Sequence, residues 1–424
     1  MAKAVASDEV IYLRSAGVDI GKRFVVVCVR TPSPRGGRWV LETERFDTTP
    51  PALRELSGWL AERMVDVVIL EATGDYWRPV FYQLQDAGLN LLLANPAHLK
   101  GVKGRKTDPS DAAFLARAGS SGMVLGSFVP PRAVRELRDL TRRRTEVAAD
   151  RAKEVQRLEK ELEDSGLKLS SVLTDLTGAS SRRILGALIA GERDPRALAD
   201  LAVSHARIKI DALAVALDGS FTEHHAFMCQ HFLAQIDHLA GVLTELDDRI
   251  RQLTRDRDHD DDIDRLDTIP GVGRLTAEII VAETGGDMIA FETAGHLASW
   301  IGVCPGVNES AGVNRSARTR HGNTALKKVL GTAAMAAVKQ KDSYYAAYYR
   351  RIAARRGNKR ALVAVMHKLT IAIWHVLHDK TVHRDLGADY FGRKNPERAI
   401  RAITRQANAI GLTVTFNPIE TRTA

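Results

Sequence analysis

The sequence contains few cysteines, and it lacks a long uninterrupted apolar segment. Its three cysteines, Cys28, Cys229 and Cys304, form no Cys-x-x-Cys pair, so neither a disulfide framework nor a structural zinc site is expected. No run approaches the ~18 apolar residues that a membrane helix needs, and the first residues have no apolar signal-peptide core. We therefore expect a cytoplasmic protein with no membrane partner.

Acidic residues are missing from one long stretch of the chain. Between Ser310 and Lys341 there are seven Lys or Arg residues and no Asp or Glu, and a second group of basic residues follows between 350 and 360. The formal net charge of the whole chain is +9. Because a solvated helix face usually mixes charges of both signs, this stretch predicts a surface that faces phosphate groups.

The length of 424 residues allows several domains, and the hydrophobic pattern suggests four regions. Residues 1–130 alternate short apolar strands and helices in the order βββαβαβα, which predicts an α/β domain with a mixed sheet. Residues 131–260 contain two long amphipathic helices, which predict a coiled-coil hairpin, a dimer seam or an internal helical bundle. Residues 261–384 form a helical C-terminal domain, and 385–424 form a tail.

The C-terminal domain is preceded by an acidic segment and begins with a glycine-rich turn. We interpret the acidic residues 258–264 as a solvated linker. The following segment IPGVGRLTAEI resembles a helix-hairpin-helix, in which Gly271 and Gly273 permit a tight hairpin. Backbone N–H groups of such a hairpin, together with the next helix N-terminus, can hold a DNA phosphate. The alternative is that the hairpin only turns the chain.

Four carboxylates are placed where a metal site would be expected. Asp19 and Glu71 each end an apolar strand, where a charge is costly unless it is solvated, paired or bound to metal. Asp108 and Asp111 begin a later helix, and Pro109 between them also suits a simple helix start, in which Asp108 is the cap and Asp111 is the acid of a capping box. Together the four favour Mg²⁺ or Mn²⁺, because all their ligand atoms are oxygens. This pattern is typical of an RNase H-like, resolvase-type nuclease.

Further motifs in both halves of the chain resemble one known family. GVDIGK, LEATGDYW and KTDPSDAAFLA in the first half, and WIGVCPGVNESAG and RHGNTALKKVL in the second, look like those of transposases of the IS one-ten (IS110) family. The resemblance implies that Asp19, Glu71, Asp108 and Asp111 are the acidic quartet and that Ser310 is the nucleophile. The family commonly has Ser-Gly-Gly at the last position, where this chain reads Ser-Ala-Gly. Ser316 and Cys304 are the nearby competing nucleophiles.

The resemblance also implies what the protein does and with which partners. It implies a DNA transposase that cuts and rejoins DNA through a phosphoserine link, guided by a structured RNA from the element itself. A homo-oligomer, dimer or tetramer, would act on element ends and target DNA in the bacterial nucleoid. The residues expected to contact nucleic acid are Gly271, Gly273, Arg315, Arg318, Arg320, Asn323, Lys327 and Lys328.

Two other functions are compatible with the sequence. A structure-specific endonuclease would resolve branched DNA by hydrolysis, using the carboxylates alone. A non-catalytic scaffold would bind the nucleic-acid backbone through the hairpin and the basic helix. The product formed with DNA and magnesium distinguishes the three functions: a protein–DNA adduct, free nicked ends or unchanged DNA.

Overall fold

The structure is a computed structural model. It describes residues 10–34, 39–72, 74–99, 110–124, 126–306, 309–310, 313–314 and 319–417. The chain divides into two compact units, Met1–Val129 and Pro130–Ala424. The regions predicted as 131–260 and 261–384 lie in the same unit, and the finer four-part division remains a prediction.

A mixed five-stranded sheet forms the centre of the described part of the first unit. Its strands are β1 (Ser15–Ile20), β2 (Phe24–Pro32), β3 (Trp39–Asp47), β4 (Val67–Glu71) and β5 (Leu91–Ala94), in the spatial order β3-β2-β1-β4-β5. β1, β4 and β5 are parallel, whereas β2 is antiparallel to both β1 and β3. β1, β2 and β4 are rich in Val and Ile and largely buried, as expected for central strands that are covered on both faces. The predicted mixed sheet is confirmed.

Helices cover both faces of this sheet. They are α1 (Pro50–Glu62), α2 (Trp77–Asp86), the short α3 (Pro96–Leu99) and α4 (Asp111–Ser120). Alternate strand residues such as Val18 and Leu70 pack with α1 and α2. The residues between them, such as Val67 and Ile69, pack with Phe114 of α4 and with Leu99. The alternation follows from the two-residue period of a strand.

A glycine in the sheet lets α4 lie directly on β1. A Cβ atom at Gly17 would lie 2.1 Å from the carbonyl oxygen of Ala112 and 2.5 Å from the amide nitrogen of Ala116, so no side chain fits there. At the other end of α4, the Ser120 carbonyl accepts a hydrogen bond of 2.8 Å from the Ile11 amide. Sequence positions thus rise along α4 as they fall along β1. The first turn of α4 therefore lies at the carboxyl ends of β1 and β4.

Two long helices, α5 (Arg132–Asp164) and α10 (Glu223–Asp256), pair antiparallel in the second unit. Arg144 of α5 is hydrogen-bonded to Asp247 of α10, and near the other end Asp164 lies 3.5 Å from His225. The sequence prediction of two long amphipathic helices is confirmed. A coiled-coil geometry and a dimer seam remain predictions.

The segment between these two helices forms a small core at one end of the pair. It contains α6 (Leu169–Val172), α7 (Ala179–Ile189), α8 (Pro195–Asp200), a 3-10 helix (Ser204–Lys209) and α9 (Ile210–Ala216). Buried leucines of this segment pack against Leu158 and Leu162 of α5 and Ile236 of α10. The segment therefore forms one apolar core together with the end of α5 and the first half of α10.

The rest of the second unit is helical, apart from one short hairpin. Its elements are α11 (Asp260–Asp267), α12 (Arg274–Thr284), α13 (Ala294–Ile301), β6 (Glu309–Ser310), β7 (Val313–Asn314), α14 (Thr324–Ala337), α15 (Tyr344–Arg356), α16 (Asn358–Asp379), α17 (Tyr390–Lys394) and α18 (Pro396–Ala409). α16 is long and apolar enough to cross a membrane by length and composition. Because α16 packs against α11, α13, α14 and α15, its apolar residues have partners within the unit, and it is weak evidence for a membrane span.

The prediction of a solvated linker at residues 258–264 is wrong, because most of this segment lies in α11. Asp260 pairs with Arg274 at 2.9 Å, and the buried Asp262 pairs with Lys380 at 2.8 Å. Acidic residues in a first helical turn interact favourably with the helix dipole. The charges that suggested a linker therefore stabilise a helix start and its contacts with α12 and with the end of α16.

Candidate active site

Asp19 and Glu71 lie side by side at one edge of the sheet. The parallel register pairs Gly17 with Ile69 and Val18 with Leu70, and its extension by one residue places Asp19 beside Glu71. Register partners on adjacent strands are about 4.8 Å apart and point to the same face. Gly17 faces α4, so Asp19, two residues further along β1, also points to the α4 side. Two carboxylates thus share one face at the carboxyl ends of two central strands.

The first turn of α4 brings Asp111 to the same edge. Ser110 is the N-cap of this helix, and its hydroxyl accepts a hydrogen bond of 3.1 Å from the Ala113 amide. The helix therefore begins at Asp111, two residues later than the predicted start at Pro109, and its cap is a serine. Asp111 is the first helical residue and not the third, so it is not the acid of a capping box. Asp108 lies outside the described residues.

The donor chemistry of this edge fits a hard divalent cation. Asp19 and Asp111 are exposed and Glu71 is half-buried, so solvent and ions reach the edge. Their carboxylate oxygens are ligands that Mg²⁺ and Mn²⁺ prefer. Within the described residues no three His, Cys, Asp or Glu side chains are close enough together to hold a metal ion. The predicted set also includes Asp108, so a complete metal site remains a prediction.

The segment that carries Ser310 is closed at its base by two glycines. Gly302, with a φ of +81°, ends α13. A Cβ atom at Gly302 would lie 2.7 Å from the carbonyl oxygen of Arg320, and one at Gly322 would lie 2.4 Å from that of Ile301. Only glycine fits at these two contacts. The two ends of the segment 303–321 therefore meet in direct backbone contact.

Ser310 lies on the first strand of a short hairpin inside this segment. A bridge between Pro305 and Thr319 follows the closed base, and β6 pairs antiparallel with β7 through Ser310 and Val313. The Ser310 backbone thus lies where the chain begins to turn back. The predicted competitor Ser316 and the predicted phosphate contacts Arg315 and Arg318 lie outside the described residues.

Cys304, the other competing nucleophile, is half-buried near the start of the segment. Burial raises the pKa of its thiol above the usual value, while the positive charge of Arg320 acts in the opposite direction. A raised pKa leaves less thiolate at neutral pH, and the thiolate is the reactive form. The pKa of Cys304 thus makes it a weaker nucleophile than an ordinary cysteine.

Three of the basic residues predicted to contact nucleic acid are described and differ in their surroundings. The Lys327 ammonium donates hydrogen bonds to the Thr319 hydroxyl at 3.0 Å and to the Arg320 carbonyl at 3.2 Å. The side chains of Arg320 and Lys328 are exposed. Lys327 therefore helps to hold the returning strand of the segment, and Arg320 and Lys328 are accessible to a polyanion. Lys328 also lines a groove of about 230 Å³ between α5, α12 and α14, together with Arg142, Thr145 and Thr324.

A buried glutamate, which the sequence reasoning missed, links this region to α5. The Glu283 side chain, in α12, is 0% exposed and accepts hydrogen bonds from Arg142 at 2.7 and 3.0 Å. Arg138 lies 3.2 Å from the same carboxylate, and the Asn323 amide donates to it at 2.7 Å. Burial is the largest single effect and lowers the pKa of Arg142, but hydrogen bonding to Glu283 and the negative charges of Glu283 and Asp139 together raise that pKa above its usual value. The available signal in the sequence was a glutamate directly after the apolar run IIVA.

The segment predicted as a helix-hairpin-helix contains α11, a tight turn and α12, and the motif itself remains a prediction. Pro270 and Gly271 occupy the central positions of the turn, which a 2.9 Å hydrogen bond from the Val272 amide to the Ile269 carbonyl closes. The φ of Gly271 is +83°, and a Cβ atom there would lie 2.2 Å from the carbonyl oxygen of Ala333 in α14. Gly271 thus has a packing role. Gly273, at the N-cap of α12, is exposed, and phosphate binding by the hairpin remains a prediction.

Comparison with known proteins assigns the chain to a family. A DEDD-type IS110 transposase model matches residues 16–165, and a model described as Transposase IS116/IS110/IS902 family matches residues 263–350. The chain belongs to the IS110 family of transposases. The two matches include the strand-end carboxylates and the segment that carries Ser310, respectively.

Relatives of this IS110-family transposase span most of its length. It is 25% identical over 336 residues to the transposase for insertion sequence element IS1111A of Coxiella burnetii, covering 77% of this chain and 81% of the relative. It is 24% identical over 389 residues to the pilin gene-inverting protein of Moraxella bovis, covering 87% and 98%. The IS110-family transposase is therefore a DNA-processing enzyme of the transposase and recombinase class, and its family implies DNA binding.

Proposed function

We propose that the protein cuts and rejoins DNA through a covalent link to Ser310, with Asp19, Glu71, Asp108 and Asp111 as the acidic quartet. The observation that supports this proposal is that the strand ends with Asp19 and Glu71 and the first turn of α4, which begins with Asp111, lie at the same sheet edge. In the chain, this edge belongs to the DEDD-type match, and the segment with Ser310 belongs to the second match.

The proposed strand exchange conserves the number of phosphodiester bonds. The Ser310 Oγ forms a bond to phosphorus while the bond from phosphorus to a deoxyribose oxygen breaks. The hydroxyl proton leaves Oγ, and the departing deoxyribose oxygen takes up a proton. Rejoining reverses these changes with a deoxyribose hydroxyl of the new strand, so no external energy source is required.

In this proposal, the carboxylates hold the metal ion that would activate the serine hydroxyl. A serine hydroxyl is a weak nucleophile at neutral pH and needs a base or a metal beside it. Mg²⁺ held by Asp19, Glu71, Asp108 and Asp111 would act as a Lewis acid on the phosphate and lower the pKa of the attacking oxygen. Without a cation, the carboxylates that converge at this edge would repel one another and the DNA phosphates.

The partners in this proposal are DNA and a structured guide RNA. Exposed basic residues supply the electrostatic attraction to either polyanion. They include Arg320, Lys328, Arg350, Arg351, Arg355, Arg356, Lys359 and Arg360. The proposal further includes an RNase H-like N-terminal domain, a coiled coil formed by α5 and α10, a DNA-binding helix-hairpin-helix at α11 and α12, and a dimer or tetramer in the bacterial nucleoid.

A second candidate function is a branched-DNA endonuclease that uses the carboxylates alone. One observation favours it: the carboxylate edge lies in the first unit, and Ser310 lies in the second. Hydrolysis by the edge alone would not need a serine from another unit or another protomer. This candidate predicts free nicked ends and no covalent product.

The decisive experiment incubates the protein with element-end DNA, the cognate RNA and Mg²⁺, and then separates the products on a denaturing gel. We expect a protein–DNA adduct, and peptide mapping should place the phosphodiester on Ser310. The Ser310→Ala variant should still bind DNA but form no adduct, whereas the matched control Ser316→Ala should keep it. Attachment at Ser316 or Cys304 would overturn the assignment of Ser310. Free nicked ends without any adduct would support the endonuclease.

A further inference from the structure

We propose that Glu283 is a positioning residue, which sets the orientation of the Ser310 segment through the side chain of Asn323. The inference rests on the proposed role of Ser310 as the nucleophile. It concerns a different set of side chains, all of them in the described part of the second unit.

Asn323 has two separate side-chain hydrogen bonds at the point where the segment enters α14. Its side-chain oxygen accepts a hydrogen bond of 3.0 Å from the Leu326 amide and thereby caps α14. Its side-chain nitrogen donates to the Glu283 carboxylate at 2.7 Å. Its backbone amide donates to the Trp300 carbonyl at 3.1 Å. The residue at the end of the segment is thus fixed to α14, α12 and α13 at the same time.

The closed base carries this orientation towards Ser310. Gly322, which precedes Asn323, touches the backbone of Ile301 and Gly302, and its contact leaves no room for a Cβ atom. The Pro305–Thr319 bridge and the hydrogen bond from Lys327 to Thr319 extend the closed base beyond these glycines. A rotation of Asn323 would therefore change the direction in which the hairpin leaves its base.

The buried Glu283 carboxylate can position Asn323 because ion pairs with two arginines fix the carboxylate itself. Arg138 and Arg142 of α5 both pair with Glu283, whose side chain is fully enclosed. Charge-assisted hydrogen bonds are shorter and stronger than neutral ones. A small misplacement at an active site, of about 1 Å, can lower a rate by about 100-fold. The Glu283–Asn323 contact is thus rigid enough to matter for the chemistry.

The substitution Asn323→Ser separates the two functions of the Asn323 side chain. A serine keeps the N-cap but is too short to reach Glu283. We expect the rate of adduct formation at saturating DNA to fall by about 10- to 100-fold, with the half-saturating DNA concentration within about twofold of the wild type. The matched control is Asn395→Ser, which exchanges the same residues at the N-cap of α18 and should not change the rate. A rise in half-saturating concentration at an unchanged maximal rate would mean that Asn323 contacts DNA directly, and it would overturn the inference.

A donor–acceptor exchange tests the contact itself. Asn323→Asp keeps a capping side chain but places a carboxylate against Glu283, and it should lower the rate at least as much as Asn323→Ser. Adding Glu283→Gln to Asn323→Asp restores one donor, one acceptor and the net charge of the pair, but its amide also faces Arg138 and Arg142, so it should recover part of the lost rate. An unrecovered double variant that is folded and binds DNA would refute the inference. Absence of an adduct with the wild-type protein would instead refute the proposed role of Ser310, so the two failures can be distinguished.

Discussion

Asp19 and Glu71 lie at the carboxyl ends of two central strands of the first unit, whereas Ser310 lies on a two-residue strand in a segment whose base is closed by glycine contacts. The strand-end carboxylates take their positions from the β1–β4 ladder and from the packing of α4 on Gly17. The Ser310 segment takes its position from glycine contacts and from a buried charge on another helix. A site on a sheet edge is thus specified by neighbours along the strands, and a site on a loop depends on distant partners.

The largest expected effect comes from removing a carboxylate at the strand ends. Asp19→Asn, Glu71→Gln, Asp108→Asn and Asp111→Asn should each abolish strand cleavage, because loss of one oxygen ligand lowers cation affinity and misplaces the attacking oxygen. Cleavage assays in Mg²⁺ and Mn²⁺ measure this effect, and thermal unfolding should show little change in stability. Asp86→Asn, at the exposed end of α2, is the matched control and should keep full activity. Full activity of the Asp108→Asn or Asp111→Asn variant would contradict a catalytic role for that residue and support a role in the helix start.

Substitution of one closely packed glycine in each unit compares the packing of the two units. Gly17→Ala and Gly271→Ala should each lower the free energy of unfolding by about 2 kcal/mol, because each added Cβ atom meets the backbone of a packed helix at 2.1 and 2.2 Å, respectively. Denaturant titration with a probe in each unit measures both effects. The matched helix substitutions Gly58→Ala and Gly331→Ala place a Cβ atom where nothing lies within 4 Å, so they should not destabilise the protein. Equal stability of all four variants would contradict the described close contacts.

The smallest expected effect concerns the basic surface of the second unit. Replacing Arg355, Arg356 and Lys359 by glutamine should weaken binding to all DNA sequences alike. The slope of log K against log salt should fall in magnitude by about 0.9 for each phosphate that is no longer neutralised. A matched control replaces Lys153 and Arg157 of α5, which pair with Asp150 and Glu154. The same slope change per charge in both sets would indicate an effect of net charge alone.

Local patterns in the sequence were sufficient to predict the strands of the first unit and the two long helices of the second. The predicted order of strands and helices in the first unit matches the observed order apart from the added short helix α3, because apolar runs alternate there with amphipathic ones. The start of α4 was misplaced because Asp108 and Ser110 are both good capping residues, and spacing alone does not choose between them. The acidic start of α11 was predicted to be a linker because its ion-pair partners, Arg274 and Lys380, lie outside the local sequence pattern.

The surroundings of Ser310 were the least predictable part of the candidate site. Glu283 and Arg142 are 141 positions apart in sequence, and only the fold brings them together. Gly271 was assigned to phosphate binding because its turn permits an approach to DNA, yet its missing side chain also permits contact with α14. A glycine in a turn can contact either a DNA backbone or a packed helix, so the sequence around Gly271 did not distinguish these two roles.

The antiparallel course of α5 and α10 means that the chain leaves and re-enters the long pair at one place. α5 contains 33 residues and is therefore about 50 Å long at 1.5 Å per residue. Asp164, its last residue, lies 3.5 Å from His225 in the first turn of α10. The two ends of the intervening segment therefore lie close together, and its buried leucines cover this end of the pair. A foreign domain inserted within this segment would be held at about 50 Å from the start of α5, outside the residues 16–165 and 263–350 that carry the transposase matches.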